Sequence, residues 1–438
     1  MKKNSHSTTP SFEGKDSNSF QSRWRWIICA LLFAATTINY IDRQILSLLK
    51  PLLDAQLGWT NEQFGWVNSL FQGAYAISYL GFGLFIDRFG TKIGYAVSIV
   101  AWSLAAAIHT VVNSVPGFAL ARIALGAGEG GNFPAAIKSV AHWFPVRERA
   151  FATTLFNSGA NVGALLAPAI VPPLALAFSW HAPFLLAGIA GLVWVVFWLW
   201  LYDEPEKSSR VSALELELIR SGQAIESGQK LRWREIIGLR QTWAYLIPQI
   251  LTAPVWWFFL IWLPDYFKVT RGMDLKTMGL PLVAIYGIVT VLSIGGGWAT
   301  KWLASLGWST TKTRRISLLV FACSVVPVAI VSQLPVWGAV LLIGLAGGAH
   351  QAWSATLYTT VSDVFPKHAV ASLVGLGGFA GSIAGMAFPI ICGRVLDVMG
   401  SSGYGILFGW CSVAYLIAFG FNALLSPRFE PLELSKKL

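Results

Sequence analysis

Four charged residues stand in apolar surroundings in the first third of this 438-residue chain: Asp42 and Arg43 within Asn39-Tyr40-Ile41-Asp42-Arg43-Gln44, then Arg122 and Glu129. A spacing of seven is about two helical turns, so Arg122 and Glu129 share one helix face roughly 10 Å apart. Neighbours such as Asp42 and Arg43 point about 100° apart on a helix and do not readily pair with each other. A charge at mid-bilayer costs about 2.5–3.5 kcal/mol on insertion scales, so such groups pair or line a polar cavity. Arginine offers a planar fork suited to carboxylate or phosphate. A carboxyl group inside a membrane can take up a proton and couple it to movement. The expected chemistry is anion binding at Arg43 and Arg122, with Tyr40 beside them, and proton uptake at Asp42 and Glu129. The competing reading is two neutralised packing pairs.

Uncharged polar residues fall at helical spacing elsewhere. Gln72, Tyr75 and Tyr79 stand at i, i+3, i+7; Asn157 and Asn161 at i, i+4; Gln351, Ser354 and Tyr358 at i, i+3, i+7, with His350 adjoining. Donors and acceptors together suit a polyhydroxylated substrate, and the alternative is hydrogen bonding between helices. His350 reads as a substrate ligand ahead of a proton relay or a satisfied interior group. Trp256 and Trp257 suit a sugar ring, but among 21 tryptophans packing is the simpler role. No nucleophile motif, phosphate loop or metal-ligand spacing appears, so no catalytic residue, metal or cofactor is expected.

These residues need elements to hold them, and composition says which. The chain is 55% hydrophobic and 12% charged, against roughly 25% charged in soluble domains. Twelve spans of about 20 residues need ~240 apolar-rich positions, which this composition supplies. An ordinary soluble enzyme, a disordered chain and a fibrous one are excluded, and long apolar runs disfavour an outer-membrane barrel. Apolar runs predict helices near 25–49, 64–86, 93–112, 117–139, 151–176, 183–202, 242–264, 278–303, 316–334, 336–362, 371–396 and 405–425. The expected fold is an all-α membrane protein of twelve transmembrane helices in two six-helix halves.

Its organisation reads as a polar cytoplasmic tail (1–23), an amino-terminal half (24–202), a cytoplasmic linker with short amphipathic helices (203–241), a carboxy-terminal half (242–426) and a second tail (427–438). The first segment lacks the apolar core of a signal peptide. Net charge is +11, but the basic residues do not cluster as a nucleic-acid reader's would, so no nucleic acid is expected. With the amino terminus inside, 25 of 32 basic residues fall on the inner side and four (Lys50, Lys268, Arg271, Lys276) outside. Both termini are then cytoplasmic, in the inner membrane if the source is bacterial. Cys29, Cys323, Cys392 and Cys411 read as small apolar residues in the spans.

The halves are related. A shift of 221 residues sets Phe144-Pro145 on Phe365-Pro366, Pro168 on Pro389 and Gly126 on Gly347. Parallel repeats of this kind build alternating-access transporters, with the site between the halves. The same shift sets Glu129 against His350 and Arg122 against Ile343, so the charged site belongs to one half.

Gly83-Leu84-Phe85-Ile86-Asp87-Arg88-Phe89-Gly90-Thr91-Lys92 resembles the signature loop between helices two and three of the major facilitator superfamily. The resemblance implies that Gly83, Asp87, Arg88, Gly90 and Lys92 form a cytoplasmic gate whose charges latch the halves. Asn39–Arg43, the Arg122/Glu129 pair and Trp143-Phe144-Pro145-Val146-Arg147-Glu148-Arg149-Ala150 resemble the anion:cation symporter family over nearly the whole chain. In that family the matching arginines engage the substrate carboxylate, both acids take part in proton coupling, and the tyrosine matching Tyr75 contacts substrate. Gly347–Ala352, Ser362–Phe365 and Gly90–Tyr95 are similar to the hexuronate carriers. Asp42 is not always kept there, whereas aldonate carriers keep it. The implied function is proton-coupled import of a sugar-acid anion such as glucuronate or galacturonate by a monomer in the bilayer. Aldonates and aldarates stand as alternative substrates. The rivals are a transporter-like ligand sensor, an organic-phosphate antiporter and a membrane enzyme.

Overall fold

A computed structural model of the chain describes residues 23–221 and 236–432. Most of the amino-terminal tail, part of the linker and the last six residues lie outside the described residues. The helices are α1 (Trp24–Leu57), α2 (Asn61–Phe89), α3 (Thr91–Ile108), α4 (Val115–Glu129), α5 (Asn132–Trp143), α6 (Val146–Ala177), α7 (His181–Leu201), α8 (Ala213–Arg220), α9 (Arg240–Arg271), α10 (Gly279–Ser305), α11 (Thr310–Val325), α12 (Val336–Val364), α13 (Lys367–Met399) and α14 (Gly403–Leu425). There is no strand among the described residues.

Nine segments among the described residues are long and apolar enough to cross a membrane, and one of them, Leu373–Leu425, contains both α13 and α14. The fourth and tenth crossings complete the twelve. The fourth is broken into α4 and α5 at Gly130-Gly131. The tenth, α12, carries His350, Gln351, Ser354 and Tyr358 along its length.

The 221-residue repeat is visible in the backbone. Phe144 ends α5 and Phe365 ends α12, both extended, and Pro145 and Pro366 then open α6 and α13 with nearly identical angles. Proline suits a helix start because its missing N–H would have no partner there. Pro168 and Pro389 lie inside those two helices. Gly126 packs on α2 and Gly347 on α10, where an added Cβ would collide with Phe71 O and Val289 Cγ2.

Helices α1 and α9 run further than the hydropathy predicts. α1 continues past Pro51 to a left-handed cap at Gly58 (φ 60°), and α9 continues past Pro264 to the same cap at Gly272 (φ 62°). Left-handed backbone favours glycine, which has no Cβ to clash. Lys50, Lys268 and Arg271, expected in loops, therefore stand on helices.

These extensions meet. Lys50 Nζ donates to Asp265 at 2.7 Å and to Asp54 at 3.1 Å, while Lys268 donates to Asp54 at 3.2 Å. Asp265 also accepts from Tyr404 OH at 2.6 Å, and Asp54 from Trp59 Nε1 at 2.7 Å. Nearby, Asp397 of α13 accepts from the first amides of α2, Asn61 and Glu62, at 2.9 and 2.8 Å. A carboxylate there satisfies amides that lack partners within the helix. Gly65 and Gly393 let α2 and α13 touch backbone to backbone.

The halves are joined at this end, away from the chain termini. One buried apolar cluster runs from Leu49, Leu53, Phe64 and Phe118 into the carboxy-terminal half. Toward the termini the amino-terminal half keeps its own cluster, including Leu32, Tyr95, Trp102 and Trp198. Among the described residues, ion pairs at that end do not cross between the halves: Asp87–Lys138, Arg314–Asp363, and Lys92 with Asp203 at the start of the linker. The end away from the termini is the closed one. The linker helix α8 docks on the amino-terminal half, where buried Glu215 accepts from the amides of Trp24 and Arg25 and from the Arg25 guanidinium.

Candidate functional site

The broken fourth crossing creates the centre of the site. Gly126 and Gly128 bring α4 against the backbones of α2 and α3, at Phe71 O and Trp102 N. Where α4 stops, its freed carbonyls need donors. Ser78 Oγ donates to Ala127 O, and Ser98 Oγ donates to Gly128 O at 2.7 Å. Tyr95 OH then donates to Asn132 Oδ1, the first residue of α5, at 2.6 Å. Glu129 is thereby fixed at the break and fully buried.

Glu129 pairs with Arg43 of α1, not with Arg122 of its own helix. Arg43 Nε donates to Glu129 Oε2 at 2.6 Å. The Arg43 guanidinium carbon lies 4.5 Å from the Tyr75 ring centroid, 5.0 Å from Tyr40, 5.6 Å from Phe71 and 6.0 Å from Trp257. Such rings hold a cation by attraction to their faces without consuming its hydrogen-bond donors. Trp257 comes from α9, so this arginine stands where the halves meet. Gly385 of α13 leaves room for that indole.

Arg122 also lies against Phe71, 5.6 Å from its centroid. It is buried, and its Nε and Nη2 have no hydrogen-bond partner. Asp42 is equally buried with neither carboxyl oxygen partnered, and interacts electrostatically with Glu129, Arg122 and Arg43. Buried polar atoms without partners are uncommon in folded proteins and mark places where a ligand, a proton or water acts. The neutralised packing pairs considered from sequence are absent: one cross-helix pair forms, and Asp42 and Arg122 stay unpaired.

Around this core, Gln72 is buried with Nε2 unpartnered. Phe71, Tyr75 and Tyr79 form a ring ladder along α2, the first pair stacked and the second tilted, with centroids 6.3 and 6.1 Å apart. Tyr358 of α12 interacts electrostatically with Tyr40 and Tyr79 from the opposite half. Gln351, Ser354 and Asn161 are half-buried, and Asn157 is exposed. His350 is more tightly engaged than a free ligand: it hydrogen-bonds Tyr415 OH through Nδ1 and stacks on Trp256, 5.3 Å between centroids and 3° from parallel. Phe71 is a contributor that sequence reasoning missed, and Trp257, weighed there but read as a packing residue, stands against Arg43. An apolar ring carries no polarity signal, and only the position of Phe71 one turn before Tyr75 hinted at its role.

The gate residues take partners inside their own half. Asp87 accepts from Lys138 of α5 at 2.7 Å, Lys92 pairs with Asp203, and Arg88 stacks on Phe89. Gly90 ends α2 at φ +85°, and Gly83 has open space beside it. Among the described residues, no latch joins the halves through these side chains in this conformation.

Residues 32–389 match the sequence profile of the Major Facilitator Superfamily. The chain is 29% identical over 388 residues to the hexuronate transporter of Escherichia coli (strain K12), covering 86% of this chain and 89% of that one. It is 30% identical over 446 residues to a protein of Bacillus subtilis (strain 168) named "probable galactarate/D-glucarate transporter", covering 96% and 94%. In fold it is similar to a bacterial homologue of the human lysosomal transporter Spinster, solved in an inward-facing and occupied conformation. There the TM-score is 0.74 and the identity 14%, over 93% of this chain and 98% of that one. With twelve crossings in two related halves and a charged site between them, the chain is a multi-pass membrane transporter, not an enzyme, and belongs to the Major Facilitator Superfamily.

Proposed function

We propose that this transporter imports a sugar-acid anion together with protons by alternating access, with a hexuronate such as glucuronate or galacturonate as the first candidate. The observation that carries the reading is the unpaired couple Asp42 and Arg122 beside the Arg43–Glu129 pair. Arg122 offers free donors to a carboxylate, and Asp42 offers a carboxyl group free to exchange its charge for a proton. Glu129 is the second proton site, reached when substrate draws Arg43 away. Tyr40, Tyr75, Tyr79, Gln72, Asn161, Gln351 and Ser354 supply hydroxyl and amide groups for the sugar, with His350 on the far wall. Sequence likeness to hexuronate and galactarate/glucarate transporters supports the substrate class. Aldonates and aldarates are the alternative within it.

The end bearing the termini is cytoplasmic in this reading, on the excess of basic residues there, and the membrane is the bacterial inner membrane. The structure then represents the inward-open state. Asp87, Arg88 and Lys92 latch the halves only in the outward-open state. A monomer is the working unit in this reading.

Uptake into proteoliposomes with an imposed pH gradient tests the proposal, using glucuronate, galacturonate, galactonate and glucarate in turn. Gradient-driven accumulation of one of them is expected. Binding without uptake would instead identify a ligand sensor, and gradient-independent counterflow an exchanger.

A further inference from the structure

A cavity away from the charged site lies between α10 and α11 at the end that bears the termini. Its volume is about 330 Å³, and its lining includes Thr300, Lys301, Trp308, Thr310, Thr313 and Arg314. Lys301 is exposed and forms no ion pair among the described residues. Arg314 turns its Nε to Asp363 at 2.8 Å, which fixes its guanidinium at the cavity wall. Lys312 stands beside them over the Trp308 ring, 4.2 Å from its centroid.

Two further observations point to a ligand. Thr313 is 3% exposed, faces this cavity and has an Oγ1 with no hydrogen-bond partner. Thr300, its neighbour across the cavity, is by contrast satisfied by Gly296 O and Ser317. The cavity also opens where α11 begins, and a helix start favours an anion.

We propose that this cavity binds the phosphate of an anionic phospholipid headgroup, with Lys301 and Arg314 as the charged contacts and Thr313 as the buried one. A lipid is favoured over free phosphate by what lies beside the cavity. Trp298 and Trp302 are stacked, 67% and 50% exposed, on the same helix as Lys301. They continue the exposed apolar line of Val291 and Ile294. Tryptophan at the end of a lipid-facing stripe marks the level of the headgroups, and basic pockets between helices at that level bind anionic headgroups.

The test uses full-length protein in nanodiscs of phosphatidylcholine doped with phosphatidylglycerol, followed by native mass spectrometry of retained lipid. Wild type is expected to retain phosphatidylglycerol over phosphatidylcholine. Lys301→Gln is expected to weaken that retention about tenfold, the change produced by losing one charge-assisted contact of about 1.5 kcal/mol. Thr313→Val is expected to weaken it severalfold with no change in charge. Thermal unfolding of both variants in detergent confirms that they fold. Equal retention by wild type and Lys301→Gln, or equal retention of the two lipids, overturns the site. If millimolar inorganic phosphate displaces the lipid completely, the cavity is a free-anion site and the lipid assignment fails.

Discussion

Arg43 and Glu129, 86 residues apart in sequence, form a buried ion pair of 2.6 Å between α1 and α4. Removing one member of such a pair costs about 3–5 kcal/mol, because the other is left as an uncompensated charge, whereas removing both costs far less. Arg43→Ala is therefore expected to lower the thermal unfolding midpoint and abolish uptake. Arg43→Ala combined with Glu129→Ala should recover most of the stability and none of the uptake. A double variant as unstable as the single one would show that the pair does not act as a unit.

Asp42 has the opposite character, since no hydrogen bond ties its carboxyl group. Asp42→Asn keeps the shape and removes the titratable proton. Accumulation driven by a pH gradient should fall by at least about tenfold, the equivalent of 1.4 kcal/mol of coupling. Counterflow of substrate should persist. Accumulation that survives in Asp42→Asn and again in Glu129→Gln would refute proton coupling through these residues.

The intramembrane charges were legible in sequence because an apolar run makes any Asp, Glu or Arg conspicuous. Their pairing was not: chain adjacency suggests Asp42 with Arg43 and helical spacing suggests Arg122 with Glu129, while the crossing of α1 and α4 joins Arg43 to Glu129. The repeat was legible through Phe144-Pro145 and Phe365-Pro366, since both pairs stand at the same offset just before a long apolar run. The extensions of α1 and α9 were hidden, because Lys50, Pro51, Pro264 and Lys268 break the hydropathy pattern without breaking the helices. The charge network of the closed end was hidden with them.

Gly65 supplies a conformational test. A Cβ there would lie 2.3 Å from Pro389 O of α13, so no larger residue fits while this end is closed. The contact is between halves, and each half can still pack. Gly65→Leu should hold α2 and α13 apart, leaving substrate binding measurable by calorimetry while uptake is lost. Uptake close to wild type would mean that this end does not have to close.

Lys50 and Asp265 hold the same end shut between α1 and α9. Both side chains are 3% exposed, and Tyr404 takes the remaining oxygen of Asp265. Lys50→Ala leaves that carboxylate buried against a hydroxyl alone, and opening the end to water relieves it. The loss of about 3–5 kcal/mol from the closed state shifts the balance toward the opposite conformation by ~100-fold or more, at 1.4 kcal/mol per decade. Spin labels at the exposed loop positions Asn113 and Lys276 read that balance as a distance distribution. Wild type should give one short population, and Lys50→Ala should add a longer one. The swap Lys50→Asp with Asp265→Lys should restore part of the short population, because the charges then face each other in reverse. An unchanged distribution in Lys50→Ala would assign closure to the apolar contacts around Phe64 and Trp262 instead.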